Sequence, residues 1–131
     1  VSYLLEIEIR GLPKMANSSG AKSTHWRYAH AEADKWKKLV WAACVSKKPP
    51  APLKTYRLTL TRYSSTMPDY DGLVRGFKHA VDGLKLAGVI LDDRLSNSGP
   101  WDCRWEKAPQ GQGRVAIRVW SPAPGNEAET P

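Results

Sequence analysis

Residues 68–93 read PDYDGLVRGFKHAVDGLKLAGVILDD, with aspartates at both ends of an amphipathic run. Stepping about 100° per residue from Asp71, Leu73, Phe77, Ala80, Val81 and Leu84 gather between roughly 180° and 280°, while Arg75, Lys78, Asp82 and Lys85 gather between roughly 320° and 40°. One apolar stripe nearly opposite one charged stripe predicts an amphipathic helix from about Leu73 to Leu86, with its apolar face on a core. A solvated helix face accounts for the charges, but not for a charged stripe that begins at Asp69-Tyr70-Asp71. Pro68 pushes Met67 toward extended backbone. In an extended segment residues i and i+2 point the same way, so Asp69 and Asp71 are expected to project together from the end of a strand. Two aspartates at this spacing are a weak signal alone, because such pairs are common in turns.

The stretch closes on a short apolar run, Gly88 to Leu91, followed by Asp92-Asp93. If that run returns beside the preceding strand, three or four carboxylates share one pocket. Without a cation their mutual repulsion would favour protonation of some of them. A hard divalent cation such as Mg²⁺ (or Mn²⁺) suits oxygen donors of this kind, keeping several waters and accepting phosphate oxygens. The competing reading is a set of unrelated loop aspartates that cluster only along the chain.

Working outward, Leu5, Ile7 and Ile9 alternate with Glu6, Glu8 and Arg10, which is strand periodicity. Residues 11–20 are rich in Gly, Pro, Asn and Ser and read as a loop. Ser23 or Thr24 can cap a helix running to about Ser46, with Trp26, Ala29, Ala33, Trp36, Leu39, Val40 and Ala43 at helical spacing. Those tryptophans are read as core in preference to a base-stacking platform. Pro49-Pro50-Ala51-Pro52 breaks the helix, and Thr55 to Tyr63 reads as a second strand. Trp101 to Glu106 and Arg114 to Trp120 both alternate, and their Gly/Gln-rich link predicts a hairpin. Ser121 to Pro131 is expected to be a mobile tail. The order is β-α-β-α-β-β: an α/β fold with a mixed sheet and two main helices, one domain over residues 1–120 and a tail over 121–131.

The chain of 131 residues carries 20 Lys+Arg against 13 Asp+Glu, a formal charge of +7. Five of the acids fall within residues 69–93, leaving eight across the rest of the chain. A small acidic knot in a basic body suits a polyanionic partner held against cations. No apolar run approaches the roughly 20 residues that span a bilayer, and no secretory pattern opens the sequence as given. Cys44 and Cys103 cannot build a disulfide framework, so a reduced, cytoplasmic protein is expected. Three histidines and two cysteines offer no zinc spacing, and His79 is expected at the surface.

Pro68-Asp69-Tyr70-Asp71-Gly72-Leu73, Lys78, Asp82-Gly83-Leu84, Ala87-Gly88-Val89-Ile90 and Asp92-Asp93 together resemble the RusA family. These are endodeoxyribonucleases that resolve Holliday junctions, common in phages and prophages. The resemblance extends over roughly residues 5–120 and is specific at 68–93. It also takes in Gly11-Leu12-Pro13-Lys14 after the first strand and a basic hairpin near the end. It implies a compact mixed α/β homodimer, working in a bacterial or phage-infected cell, that cuts four-way junctions with Mg²⁺ or Mn²⁺ in recombination and repair. It implies that Asp69, Asp71 and Asp93 are the metal-binding catalytic aspartates, that Asp92 is their acidic neighbour as a direct or indirect metal ligand, and that Lys78 supports cleavage. Gly72 stands where the family usually has Asn, and three extra residues separate Asp71 from Lys78 compared with the shortest family form. Arg75 is therefore a rival to Lys78, which is preferred for its spacing to Asp82. Lys14, Lys22, Arg27, Arg62, Arg75 and Arg94 are candidates for DNA backbone contact. The alternatives are a non-catalytic basic DNA-binding module, and a flap or fork nuclease with the same metal site.

Overall fold

A computed structural model describes residues 4–13 and 25–120, with the side chains of 25–29 excepted. The expected order is found: β1 (Leu5–Arg10), α1 (His25–Cys44), β2 (Arg57–Ser64), α2 (Tyr70–Ala87), then β3 (Asp102–Lys107) and β4 (Arg114–Trp120). A single extra turn, α3 (Leu95–Ser98), precedes β3. The suggested Ser23 or Thr24 cap and the 121–131 tail lie outside the described residues.

The four strands form one mixed sheet in the order β1-β4-β2-β3. Strand β4 lies antiparallel to both β1 and β2, and β3 lies parallel to β2. The expected hairpin is therefore corrected, since β3 and β4 follow each other in sequence but not in the sheet. Burial explains the split. Val115, Ile117 and Val119 are fully buried, which suits a central strand hydrogen-bonded on both edges. Strand β3 has only Cys103 and Trp105 half-buried on its inner side and takes the edge.

Alternation is kept across the sheet. Leu5, Ile7 and Ile9 face inward with Leu58, Leu60, Val115, Ile117 and Val119, and register aligns them in rows. The outer face carries cross-strand pairs, Arg118–Glu6 at 2.8 Å and Arg114–Glu8 at 3.3 Å. Both main helices pack into the single inner core. Helix α1 contributes Trp36, Val40 and Cys44 at i, i+4 spacing, while Leu39, expected on that face, is 37% exposed. Helix α2 buries Leu73, Phe77, Ala80, Val81 and Leu84, the apolar stripe read from the sequence. Each such large side chain contributes about 1.5–3 kcal/mol on burial.

The two helices meet closely at Gly83. A Cβ there would lie 2.7 Å from the Val40 Cβ and 3.1 Å from the Lys37 carbonyl oxygen. Alanine normally gains about 0.5–1 kcal/mol over glycine inside a helix. Here the overpacking cost, about 1–3 kcal/mol, works against it and is larger. Gly83→Ala is expected to lower stability by roughly 1 kcal/mol, read as a lower urea midpoint at unchanged slope; a raised midpoint would show that the helices can part without cost.

Candidate functional site

The Asp69-Tyr70-Asp71 segment is extended only at Asp69, with Tyr70 and Asp71 already in a helix, which corrects the sequence reading. Asp69 is the N-cap of α2, and its carboxylate accepts the Gly72 N–H at 3.1 Å. A short acidic side chain at this position satisfies one of the helix's orphan donors, so the helix begins at Tyr70, three residues earlier than expected. Asp71 lies in the first turn and pairs with Arg75 at 2.9 Å, both largely exposed. The two aspartates therefore stand around the start of the helix rather than side by side on a strand.

The acidic pair after the helix is drawn back along it. Ile90 bridges Leu53 in parallel fashion just ahead of β2, so the apolar run returns beside that segment as a single bridge rather than a strand. Tyr56, fully buried at the base of β2, donates its hydroxyl to the Asp92 carbonyl. Its phenol is pushed up to about 12, by burial first and also by the Asp92 and Asp93 charges.

Asp93 is held by Lys78 at 2.6 Å, and the same ammonium reaches Asp82 at 3.0 Å. Burial alone would lower the Lys78 pKa, but the hydrogen bonds it donates to Asp93 and Asp82, with their charges, outweigh that and raise it. The Lys78 hydrogen bond is in turn the largest cause holding the Asp93 carboxyl below its usual range, against the burial that would raise it. Lys85 stands 3.7 Å from one oxygen of each of Asp92 and Asp93. Arg94, 78% exposed, closes on Asp92 at 2.9 Å.

Asp93 and Lys78 thus come together, as do Asp92 and Asp93. Asp69 and Asp71 sit two turns toward the helix start, about 10 Å along the axis from Lys78 at 1.5 Å per residue. Among the described residues no three His, Cys, Asp or Glu side chains converge closely enough to hold a metal ion. The donor chemistry still fits Mg²⁺, which commonly uses one or two carboxylates and completes its shell with water and phosphate. Asp92 and Asp93 meet that need, because oxygens of both already face one cationic group, the Lys85 ammonium.

The DNA-contact candidates divide. Arg75 and Arg94 are exposed, each tied to a site carboxylate. Arg62 is corrected: it is 9% exposed in the inner row with Val115 and Trp105, and it donates to the Pro13 carbonyl at 3.1 Å. Its Nε is buried without a partner. Lys14, Lys22 and the Arg27 side chain lie outside the described residues. His79 is half-buried rather than at the surface, with a buried Nδ1 that has no hydrogen-bond partner. Lys85 was visible on the charged stripe, yet nothing in its spacing marked it as a neighbour of Asp92 and Asp93.

Cys44 and Cys103 are free thiols, both pushed up to about 11 by burial. Neither is poised as a nucleophile. No helix among the described residues is long and apolar enough to cross a membrane. No protein-family model matches the chain, and no curated protein matches it.

Because its pKa is depressed in the folded protein, Asp93 adds stability above its unfolded value, and that contribution is lost as pH falls through the lower folded value. Lys78→Met removes the largest cause of the depression. The stability gap between wild type and Lys78→Met is expected to be present at pH 6 and to shrink as pH drops below the usual carboxylate range. Urea unfolding at both pH values reads it, and a gap that grows in acid would contradict the pairing.

Proposed function

We propose that this chain is a divalent-cation-dependent endodeoxyribonuclease that works as a homodimer on four-way DNA junctions, in recombination and repair in the cytoplasm. The observation that carries the reading is the Lys78–Asp93 contact at 2.6 Å. It joins the α2 stripe to the Asp92-Asp93 pair, two separate parts of the pattern that resembles the RusA family. The basic excess of 20 residues against 13 supports a polyanionic substrate.

Asp92 and Asp93 would hold Mg²⁺ or Mn²⁺, and Asp69 and Asp71 are further oxygen donors at the helix start. Such an ion supplies an activated water and stabilises the leaving oxygen of a phosphodiester. The chain's own part is electrostatic. Asp93 stays ionised at neutral pH because Lys78 stabilises its charged form. Lys78 stays protonated, so its ammonium can offset charge that develops on the phosphoryl oxygens. Arg75 and Arg94, both exposed, need only exchange a carboxylate partner for a DNA phosphate, because pairs open to solvent contribute little.

Wild type is expected to cut a labelled four-way junction in Mg²⁺ and not in EDTA. Asp71→Asn and Asp93→Asn are each expected to cut on the order of a hundredfold more slowly, with junction binding kept at fixed salt because affinity rests on basic contacts. Equal cutting by wild type and Asp71→Asn would remove Asp71 from the site. Binding by all three proteins without any cutting would favour the DNA-binding module. Faster cutting of a flap or fork would move the substrate class. Light scattering is expected to show a dimer, and a monomer at micromolar concentration with and without DNA would contradict that.

A further inference from the structure

Beside the acidic pair, between the first half of α2 and the segment leading into β3, lies a cleft of about 290 Å³. Tyr70 and Val74, one turn apart on α2, form one wall, and Trp101 forms part of the other, with Asp93 also in the lining. Trp101 is half-buried and packs against the core, which makes it a fixed surface. Tyr70 is 70% exposed at the first position of the helix, so its ring stands at the opening. The volume equals roughly ten waters, which leaves room for one planar nucleobase and some of its solvent.

The rim is basic. Gly99 lines the cleft with φ +66° and ψ −175°, a conformation that side chains disfavour. A Cβ on it would stand 3.2 Å from a terminal nitrogen of Arg57, so the missing side chain makes room for that guanidinium. Arg57 is exposed and takes part in none of the ion pairs among the described residues that hold Arg75, Arg94, Arg104, Arg114 and Arg118.

We propose that this cleft receives one unstacked nucleobase of the DNA, with Tyr70 and Trp101 as stacking surfaces and Arg57 on the adjoining phosphate. The inference rests on the reading that the ligand is DNA, and it adds which part of the DNA enters the protein beside the acidic pair. Aromatic walls take any base by its π-face, and a guanidinium at the rim adds a phosphate contact without reading sequence. A branch point is where a base loses its stacking partner at least cost, so such a cleft favours branched over continuous duplex.

The test compares binding of a ten-nucleotide single strand with that of an abasic strand of equal length and charge, in EDTA, by fluorescence anisotropy. Junction cutting in Mg²⁺ is measured alongside. Wild type is expected to prefer the strand with bases by on the order of tenfold. Tyr70→Ala should lose that preference and keep its affinity for the abasic strand, whereas Tyr70→Phe should retain both. Arg57→Gln should weaken both strands alike and reduce the salt dependence by about one phosphate contact. Equal affinity of wild type for the two strands, or a preference untouched by Tyr70→Ala, overturns the inference. If the junction is cut but no base preference exists, the cleft assignment falls alone. If the preference follows Tyr70 but nothing is cut, the nuclease reading falls and the cleft belongs to a binding protein.

Discussion

The structure depends on the placement of β4 between β1 and β2. It is the last strand among the described residues, it is hydrogen-bonded along both edges, and Val115, Ile117 and Val119 are sealed from solvent. The inner core is incomplete until this strand inserts, so residues near position 117 are coupled to residues near position 7. With the centre occupied, β3 can add only at an outer edge; it takes that of β2, in parallel. A parallel neighbour demands a crossover, and α2 supplies it. The return from that crossover carries Asp92, Asp93 and the loop around the cleft. The candidate site is thus a consequence of the topology: the acidic pair lies against α2 because the chain must travel back along the helix to start β3.

Charge at the site is balanced within short reach. Arg75 is tied to Asp71, Lys78 to Asp82 and Asp93, Lys85 to Asp92 and Asp93, and Arg94 to Asp92. The exposed members of this set are worth about 0–1 kcal/mol per pair and can be exchanged for a phosphate at small cost. Lys78–Asp93 differs because the Asp93 side chain is only 16% exposed. Removing Lys78 would leave a largely buried carboxylate facing Asp82 and Asp92 with only the more distant Lys85 to offset it. That asymmetry makes Lys78 the fixed member of the stripe and Arg75 and Arg94 the exchangeable ones.

The sequence made α2 legible because its two stripes are nearly opposite and nine of its residues are buried along one side. It made β1, β2 and β4 legible because each alternates cleanly. It did not reveal sheet neighbours, because alternation shows that a segment is a strand but not which edge it joins. The Asp69-Tyr70-Asp71 segment was misread for a local reason. The same carboxylate spacing suits an extended end or a helix cap, and the Gly72 amide, which decides between them, is invisible until the helix exists. Only the resemblance put Lys78 and Asp93 in one site, and nothing announced that they pair, since fifteen residues separate them. The cleft had no sequence signal, because Tyr70, Gly99 and Trp101 come together through the crossover alone.

Departures from ordinary packing rules gather on the two flanks of the first half of α2. On one side Arg62 takes a place in the inner row, holds the Pro13 carbonyl and leaves its Nε unpaired. Pro13 in turn lies within van der Waals reach of a side chain built on Gly76. A buried, unsatisfied donor costs about 1–3 kcal/mol, and an apolar residue there would avoid that cost. On the other side an aromatic ring is left exposed at Tyr70, and Gly99 adopts a backbone that other residues disfavour. The far half of the helix, from Ala80 to Ala87, departs less, with Ala80, Val81, Leu84 and Ala87 in the core and a left-handed glycine cap at Gly88, although Leu86 is 60% exposed. Proteins satisfy local and global preferences together except where function or strain intervenes. Most of these exceptions flank the start of the helix, beside the residues on which the proposed cation and cleft readings rest.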